Sequence, residues 1–455
     1  MKIKIHFFGA ASTVTGSKFL IETPMHKILI DCGMFQGKKE LRQKNWKNFL
    51  LDSSSIDVVL LTHGHLDHIG YLPRLIKQGF RGKIIGTAPT LAIAKIILLD
   101  SGKIQEEEAK KANKEGYSKH NPAEPFYTVK EAMFTTRFFK PVEKDKWMVF
   151  SKNIKYRFKY NAHIIGSTFI ELNIYGKVVV FSGDVGRIND PLLYNPEKPK
   201  WADFLIMEAT YGNKIHPKDE FEKKIIALVN KTIQNRGTLI IPSFAVERLQ
   251  TLMYLLWKLY QKNKIPNISV FVDSPMGDNV LSVFEQFPNW HKLTQKEYYG
   301  MNHHIHIITS YRETWETIDN TQPKIVIAGS GMVTGGRVLT YLQQLIDNYS
   351  TTILLVGYQA DGTRGRKLLE GAKDLKIYGK IYPVNAEVHH VESLSAHADQ
   401  KELLKWVENI RNIPEKVFLI HGEAIALNVL KNKIIDKYGW QTYIPQLNEY
   451  YDITV

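Results

Sequence analysis

The segment Val58-Val59-Leu60-Leu61-Thr62-His63-Gly64-His65-Leu66-Asp67-His68 decides how the chain is read. Its apolar start predicts a buried strand, and the turn after it places His63, His65, Asp67 and His68 within six positions. Backbone curvature at a strand-to-loop turn can aim such side chains at one point. Imidazole nitrogen and carboxylate oxygen are ligands that borderline Zn²⁺ accepts. Any one of these residues alone reads as part of a solvated polar loop. The complete string behind a buried strand predicts metal binding.

These side chains cannot fill the shells of two metals, so further ligands are expected at later strand ends. His163 follows the strand pattern 156–161, and Asp184 follows 178–181 in Phe181-Ser182-Gly183-Asp184. His421 follows 417–420 and precedes Gly422, and Asp31 repeats the arrangement after 28–30. Each alone reads equally well as a turn residue; jointly they predict a dinuclear site.

Outward from this centre, residues 1–200 read as short strands (2–8, 18–22, 26–30, 58–62, 83–87, 154–161, 167–174, 177–182) with helical periodicity at 70–78 and 90–108, the latter running on to near Tyr117. From 204 to about 379 strands alternate with helices near 219–234, 246–261 and 338–347, the rhythm of βαβ units around a parallel sheet. Strands return at 376–383, 387–392 and 416–420, with helices at 400–409 and 424–438. The expected organisation is a β-rich domain, 1–206 and 386–455, split by an α/β insertion at 207–385.

Composition narrows the function classes. A chain of 455 residues with 44% hydrophobic and 23% charged residues has material for a sizeable core. One cysteine excludes a disulfide framework and any multi-cysteine zinc site, and fits a reducing compartment. With no signal-like apolar segment and no run of about 18 apolar residues, a cytoplasmic protein without membrane contact is expected. The net charge of +14 favours a polyanionic partner, although a generally basic proteome would also account for it.

The chain resembles the metallo-β-lactamase superfamily, whose pattern is strand-Asp, His-x-His-x-Asp-His, His, Asp, His. It is similar more specifically to the β-CASP branch of RNA- and DNA-processing nucleases. Glu208 in Met207-Glu208-Ala209-Thr210-Tyr211-Gly212 matches one further motif of that branch, and Ser395-Ala396-His397-Ala398-Asp399 another. Within the branch it looks closest to the shorter bacterial and archaeal relatives of the pre-mRNA 3′-end endonuclease; because residue 2 already starts the first strand, no N-terminal RNA-binding extension is expected.

The resemblance implies an αββα sandwich with an inserted, mostly parallel β-CASP domain. It implies one zinc on His63, His65 and His163, a second on Asp67, His68 and His421, and Asp184 bridging. Mn²⁺ or Fe²⁺ would suit the same ligands. Asp31 would orient a ligand imidazole, and Glu208 would pair with His397, suiting it to general acid work. The implied activity is hydrolysis of RNA phosphodiesters, endonucleolytic, by metal-activated hydroxide, leaving a 5′-phosphate and a 3′-hydroxyl. Single-stranded RNA is the expected partner, with self-association left open.

Other readings stay open at this point: a noncatalytic RNA-binding scaffold, a DNA-directed nuclease, and a hydrolase of small esters. Retention of every ligand weighs against the scaffold. The insertion and the Glu208/His397 pair weigh against the small-ester hydrolase. The Ser-Ala-His-Ala-Asp string and a histidine as last ligand weigh toward RNA.

Two loops of the insertion are candidate phosphate cradles. Residues 328–337 contain Ser330, Gly331, Thr334, Gly335 and Arg337; residues 357–366 contain Arg364 and Arg366, whose guanidiniums could clamp phosphate oxygens. Ser243 reads as a helix N-cap. His304 and His306 share a face of an expected strand edge, His389 and His390 read as structural, and Cys32 as a small buried side chain.

Overall fold

The computed structural model describes residues 2–47, 51–116, 118, 120–217, 221–360 and 362–454. Tyr117, the first residues of the expected 219–234 helix and Asp361 of the second glycine loop lie outside the described residues. The chain forms two compact units, one of residues 1–190, 194–215 and 397–455, the other of 191–193 and 216–396.

The first unit holds two seven-stranded sheets. One runs, in spatial order, Tyr450–Thr454, Lys2–Phe7, Phe19–Glu22, Lys27–Ile30, Val58–Leu60, Lys83–Thr87 and Phe139–Val142. The other runs Thr442–Tyr443, Lys416–Ile420, Phe204–Glu208, Lys177–Phe181, Thr168–Ile174, Ile154–Tyr160 and Met148–Ser151.

Strand alternation explains the layering, because successive side chains point to opposite faces. Phe181, Ile206 and Ile420 join Ile5, Phe7, Ile28 and Leu60 in the core between the sheets. Their neighbours Val180, Leu205 and Leu419 face the other way and pack on Leu403, Trp406, Leu427 and Leu430 of helices Gln400–Val407 and Ala424–Tyr438. On the first sheet, helix Ala88–Glu115 starts at Thr87, whose hydroxyl accepts the Thr90 N–H, with Pro89 in its first turn. These layers form the αββα sandwich.

The second unit is built on a six-stranded sheet in the order Ile305–Ile308, Ser269–Asp273, Lys324–Ala328, Thr238–Pro242, Thr351–Val356, Glu387–Val391. Every pairing in it is parallel. Helices Phe221–Gln234, Arg248–Gln261, Pro275–Gln286, Tyr311–Asp319 and Val338–Leu345 supply crossovers, as parallel strands require.

Three sequence expectations are corrected. The limits expected at 206/207 and 385/386 fall short of the observed ones. Phe204–Glu208 pairs through Glu208 with Lys416–Ile420 in the first unit, and Glu387–Val391 pairs with Thr351–Val356 in the second. The expected strand 376–383 is a hairpin, Asp374–Ile377 against Lys380–Pro383. His304 ends helix Gln295–His304 and only His306 lies in the following strand, so the two do not share a strand face. Among the described residues, no helix is long and apolar enough to cross a membrane.

Candidate metal centre

The centre lies where strands of the first unit end. Strand Lys27–Ile30 delivers Asp31, buried and with φ of +56°. Its Oδ1 accepts the Thr62 N–H at 2.7 Å, and its Oδ2 accepts the Thr62 hydroxyl at 2.7 Å and lies 2.7 Å from His68 Nδ1. One carboxylate thus fixes both the start of the histidine string and the ring of His68. Nε2 of His68 is thereby turned to Asp184 Oδ1, 3.3 Å away.

Two adjoining groups of donors converge. In the first, His65 Nδ1 lies 3.2 Å from His63 Nε2 and 3.1 Å from His163 Nε2. Asp184 Oδ2 closes the group at 3.4 Å from His63 and 3.5 Å from His163. In the second, Asp67 Oδ2 lies 3.2 Å from His421 Nε2 and 3.8 Å from His68 Nε2, and Asp184 Oδ1 faces His68. Asp184 therefore presents one oxygen to each group.

Turn geometry puts these donor groups there. Asn161 donates to the carbonyls of Ser182 at 2.7 Å and Asp184 at 2.6 Å, shaping the turn that carries Asp184. Gly183 in that turn has φ of +53°, and a Cβ on it would stand 2.7 Å from the Thr62 Cβ. Ser167 Oγ accepts the His163 N–H at 2.8 Å. His421, at φ of +49°, has Nδ1 3.1 Å from the Thr210 hydroxyl, which leaves Nε2 toward Asp67.

The electrostatics are those of a cation site. Burial, then His68, holds His63 well below the ordinary histidine range, and burial lowers His65 to about 4. Burial would raise Asp184, but His421, His68 and His63 hold it well below the usual carboxylate range. Against burial, Asp184, Asp31 and Asp67 raise His68 well above the ordinary range, and Asp184 and Asp67 raise His421, so the ionised carboxylates draw positive charge to this point, as a divalent-cation site does. Three imidazole nitrogens facing one another at 3.1–3.2 Å have more lone pairs than one proton can bridge. The separations of 3.1–3.5 Å also approach the edge of a tetrahedron with ~2.1 Å bonds, about 3.4 Å. The residues fit divalent metal.

Glu208 and His397 stand beside this centre. Buried Glu208 accepts the Val185 N–H at 2.6 Å and the Thr210 N–H at 3.3 Å, and its oxygens lie 3.2 and 3.3 Å from His397 Nδ1. The His397 ring centroid is 4.3 Å from that of His163. Burial would lower His397, but the Glu208 carboxylate, with Asp184 and Asp67 behind it, raises it above the ordinary value. With Nδ1 on Glu208, Nε2 lies on the opposite edge of the ring.

Sequence reasoning missed Thr62, Ser167, Asn161 and Thr210, the small polar residues that orient the clustered side chains. Their adjacency to ligand strings was the only available signal.

The expected phosphate residues lie in the second unit and are arranged differently from a clamp. Ser330 Oγ accepts the N–H groups of Thr334 at 3.1 Å and Gly335 at 3.2 Å, tying the loop to itself. Gly331 packs against Phe244, where a Cβ would meet the ring at 2.7 Å. Arg337 bonds Thr314, lies 3.7 Å from Asp273 and covers the Tyr311 ring at 3.6 Å. Arg364 donates to the carbonyls of Lys376 at 2.6 Å and Thr334 at 3.1 Å, and Arg366 to Glu370 at 2.6 Å. Each of the three guanidiniums is engaged with its own set of partners within the unit.

Comparison with known proteins agrees with this geometry. Family models match residues 14–93 (metallo-beta-lactamase superfamily), 249–368 (Beta-Casp domain) and 381–445 (Zn-dependent metallo-hydrolase RNA specificity domain). Ribonuclease TTHA0252 of Thermus thermophilus is 32% identical over 97% of this chain and 98% of its own. An RNase J-like protein of Methanocaldococcus jannaschii is 30% identical over 92% and 93%. Transcription termination factor FttA of Methanosarcina mazei is 30% identical over 97% of this chain and 70% of its own. A crystal structure from Enterococcus faecalis, of unknown function, shares the fold over the full length of both chains at a TM-score of 0.58 and 13% identity. A split sandwich carrying a His/Asp metal cluster, interrupted by a parallel α/β unit and matched end to end by these relatives, places the chain in the β-CASP family of the metallo-β-lactamase superfamily.

Proposed function

We propose that this protein is a metal-dependent ribonuclease that hydrolyses phosphodiester bonds within single-stranded RNA, leaving 5′-phosphate and 3′-hydroxyl ends. The observation that carries the reading is the buried Glu208–His397 pair set against the seven-donor cluster, in a chain matched over its length by a protein named as a ribonuclease. A simple metal-binding structural site has no use for an imidazole held by a buried carboxylate at its rim.

His63, His65 and His163 would hold one Zn²⁺, Asp67, His68 and His421 the other, with Asp184 shared. Two divalent metals bound there supply Lewis acidity that activates water and neutralises charge on the phosphodiester. The residues do the rest. Asp31 keeps His68 and Thr62 in place, so the ligand nitrogens converge without rearrangement. Glu208 favours the protonated form of His397 and fixes its ring, which lets Nε2 deliver a proton to the departing 3′ oxygen. No residue is asked to ionise a 2′-hydroxyl, so RNA and DNA are separated by binding rather than by chemistry. The lone buried cysteine agrees with a cytoplasmic protein.

The test is cleavage of end-labelled single-stranded RNA and matching DNA by wild type and His397→Ala, with and without chelator. Wild type should cut RNA in preference to DNA, lose activity with chelator, and exceed the variant about 10²–10⁴-fold. No chelator-sensitive cleavage by wild type would favour a noncatalytic RNA-binding protein. Undiminished activity in the variant would remove the acid role.

A further inference from the structure

Two exposed tyrosines on the second unit stand beside the glycine loop and serve neither its core nor the metal centre. Tyr311 opens helix Tyr311–Asp319 and is 61% exposed, although the Arg337 guanidinium covers one face of its ring at 3.6 Å. Arg337 is itself held by Thr314 and by buried Asp273, so this cation is fixed in place. A planar base stacking on the ring's other face would sit over an aromatic already backed by charge.

Tyr378 stands at a hairpin turn, as Tyr175 does in the first unit. It forms, with Gly379, the two-residue turn joining Asp374–Ile377 to Lys380–Pro383. Both turn residues have positive φ, +47° and +84°. Such turns favour Asn-Gly, because a bulky side chain at positive φ is strained. At 54% exposure, about half of the Tyr378 side chain faces solvent. An aromatic ring carried at the tip of a hairpin is placed to meet a partner from solvent.

The surroundings indicate the partner. Lys376 and Lys380 flank the turn and are exposed. Arg364 bonds the Lys376 carbonyl on the hairpin and the Thr334 carbonyl on the glycine loop, tying the two together. Tyr311 and Arg364 are both near enough to Tyr378 to act on its hydroxyl electrostatically. Exposed aromatics interleaved with fixed cations form a surface for unpaired bases and their phosphates.

We propose that Tyr311 and Tyr378, with Arg337, Arg364, Lys376 and Lys380, form a base-stacking platform that docks single-stranded RNA on the inserted domain. The platform rests on the RNA reading above, but binding can be measured apart from cleavage. The probe is a fluorescent single-stranded RNA 20-mer with phosphorothioate linkages that resist hydrolysis, titrated by anisotropy against wild type, Tyr311→Ala, Tyr378→Asn and Tyr378→Trp.

Tyr378→Asn should raise Kd about tenfold while raising the urea midpoint, because asparagine suits the turn. Tyr311→Ala should also raise Kd about tenfold, and Tyr378→Trp should keep it within about twofold. An unchanged Kd in Tyr378→Asn overturns the platform, and so does an unchanged RNA Kd accompanied by a shift in self-association by sedimentation, which would assign the patch to protein contact. Wild type that binds this RNA with the predicted pattern but cleaves none would leave the platform standing and sink the ribonuclease reading.

Discussion

Asp31 makes three hydrogen bonds with one carboxylate and touches no donor group of the cluster except through His68. Asp31→Asn would put an N–H₂ donor against the His68 Nδ1–H or the Thr62 hydroxyl, turning a bond into a repulsion. Zinc affinity, measured by competition with a chromophoric chelator, should fall about 10–100-fold with an unchanged circular dichroism spectrum. Equal affinity would show that Asp31 does not position the ligands.

Lys18 gives a second prediction at this scale. Its ammonium is buried, 4.5 Å above the Phe35 ring and 5.1 Å above Tyr71, with the Gly16 carbonyl at 3.4 Å. Burial lowers its pKa from 10.5 to about 8, against the opposing influence of Cys32. The unfolded chain therefore binds the proton more tightly, and wild-type stability should rise as pH climbs through about 8 toward 10.5. Above about pH 9 the Cys32 thiol, pushed up to about 12 by burial, begins to act in the opposite direction. The clean window is thus about pH 8 to 9. Across it, urea unfolding should show Lys18→Met losing about 1 kcal/mol relative to wild type, as the cost of burying the ammonium disappears. A constant difference would mean that Lys18 is not held in the way described.

At the scale of elements, the chemistry-bearing string ends in a structural device. Asp399 caps helix Gln400–Val407, its carboxylate accepting the Glu402 N–H at 2.9 Å while Glu402 accepts the Asp399 N–H at 3.0 Å. Helix start and His397 are thus fixed together, and Ala398 donates to the Val185 carbonyl at 2.8 Å in the same turn. Asp399→Ala should cost about 1 kcal/mol in urea unfolding and lower kcat with little change in KM, because it loosens His397 rather than substrate contacts. A stability loss with wild-type kcat would separate the cap from the acid.

Elements also show where the sequence was legible. The cluster could be read because His63, His65, Asp67 and His68 are polar residues crowded behind a strand of buried apolar ones, a local pattern. The strand Glu387–Val391 was assigned to the wrong unit because strand partnership is non-local, and His389-His390 carries no label of its sheet. The hairpin at Tyr378-Gly379 was read as one strand because Lys376-Ile377-Tyr378 and Lys380-Ile381-Tyr382 repeat the same polar-apolar alternation on both sides of the turn. Arg337, Arg364 and Arg366 announced charge, yet charge does not say whether a guanidinium meets a ligand, a carbonyl or a carboxylate.

On the scale of the whole molecule, one unit carries the cluster and the Glu208–His397 pair, and the other carries cationic loops and exposed aromatics. The +14 charge acquires meaning there, since a phosphodiester polymer is the substrate class that uses both. The central claim is direct hydrolysis at the metal centre with proton delivery to the 3′ oxygen. The most direct measurement is mass spectrometry of the fragments that wild type releases from single-stranded RNA, with and without chelator. The account predicts 5′-phosphate and 3′-hydroxyl ends on every cut and no cuts with chelator present, whereas 2′,3′-cyclic phosphate ends, or cutting that survives chelation, would contradict it.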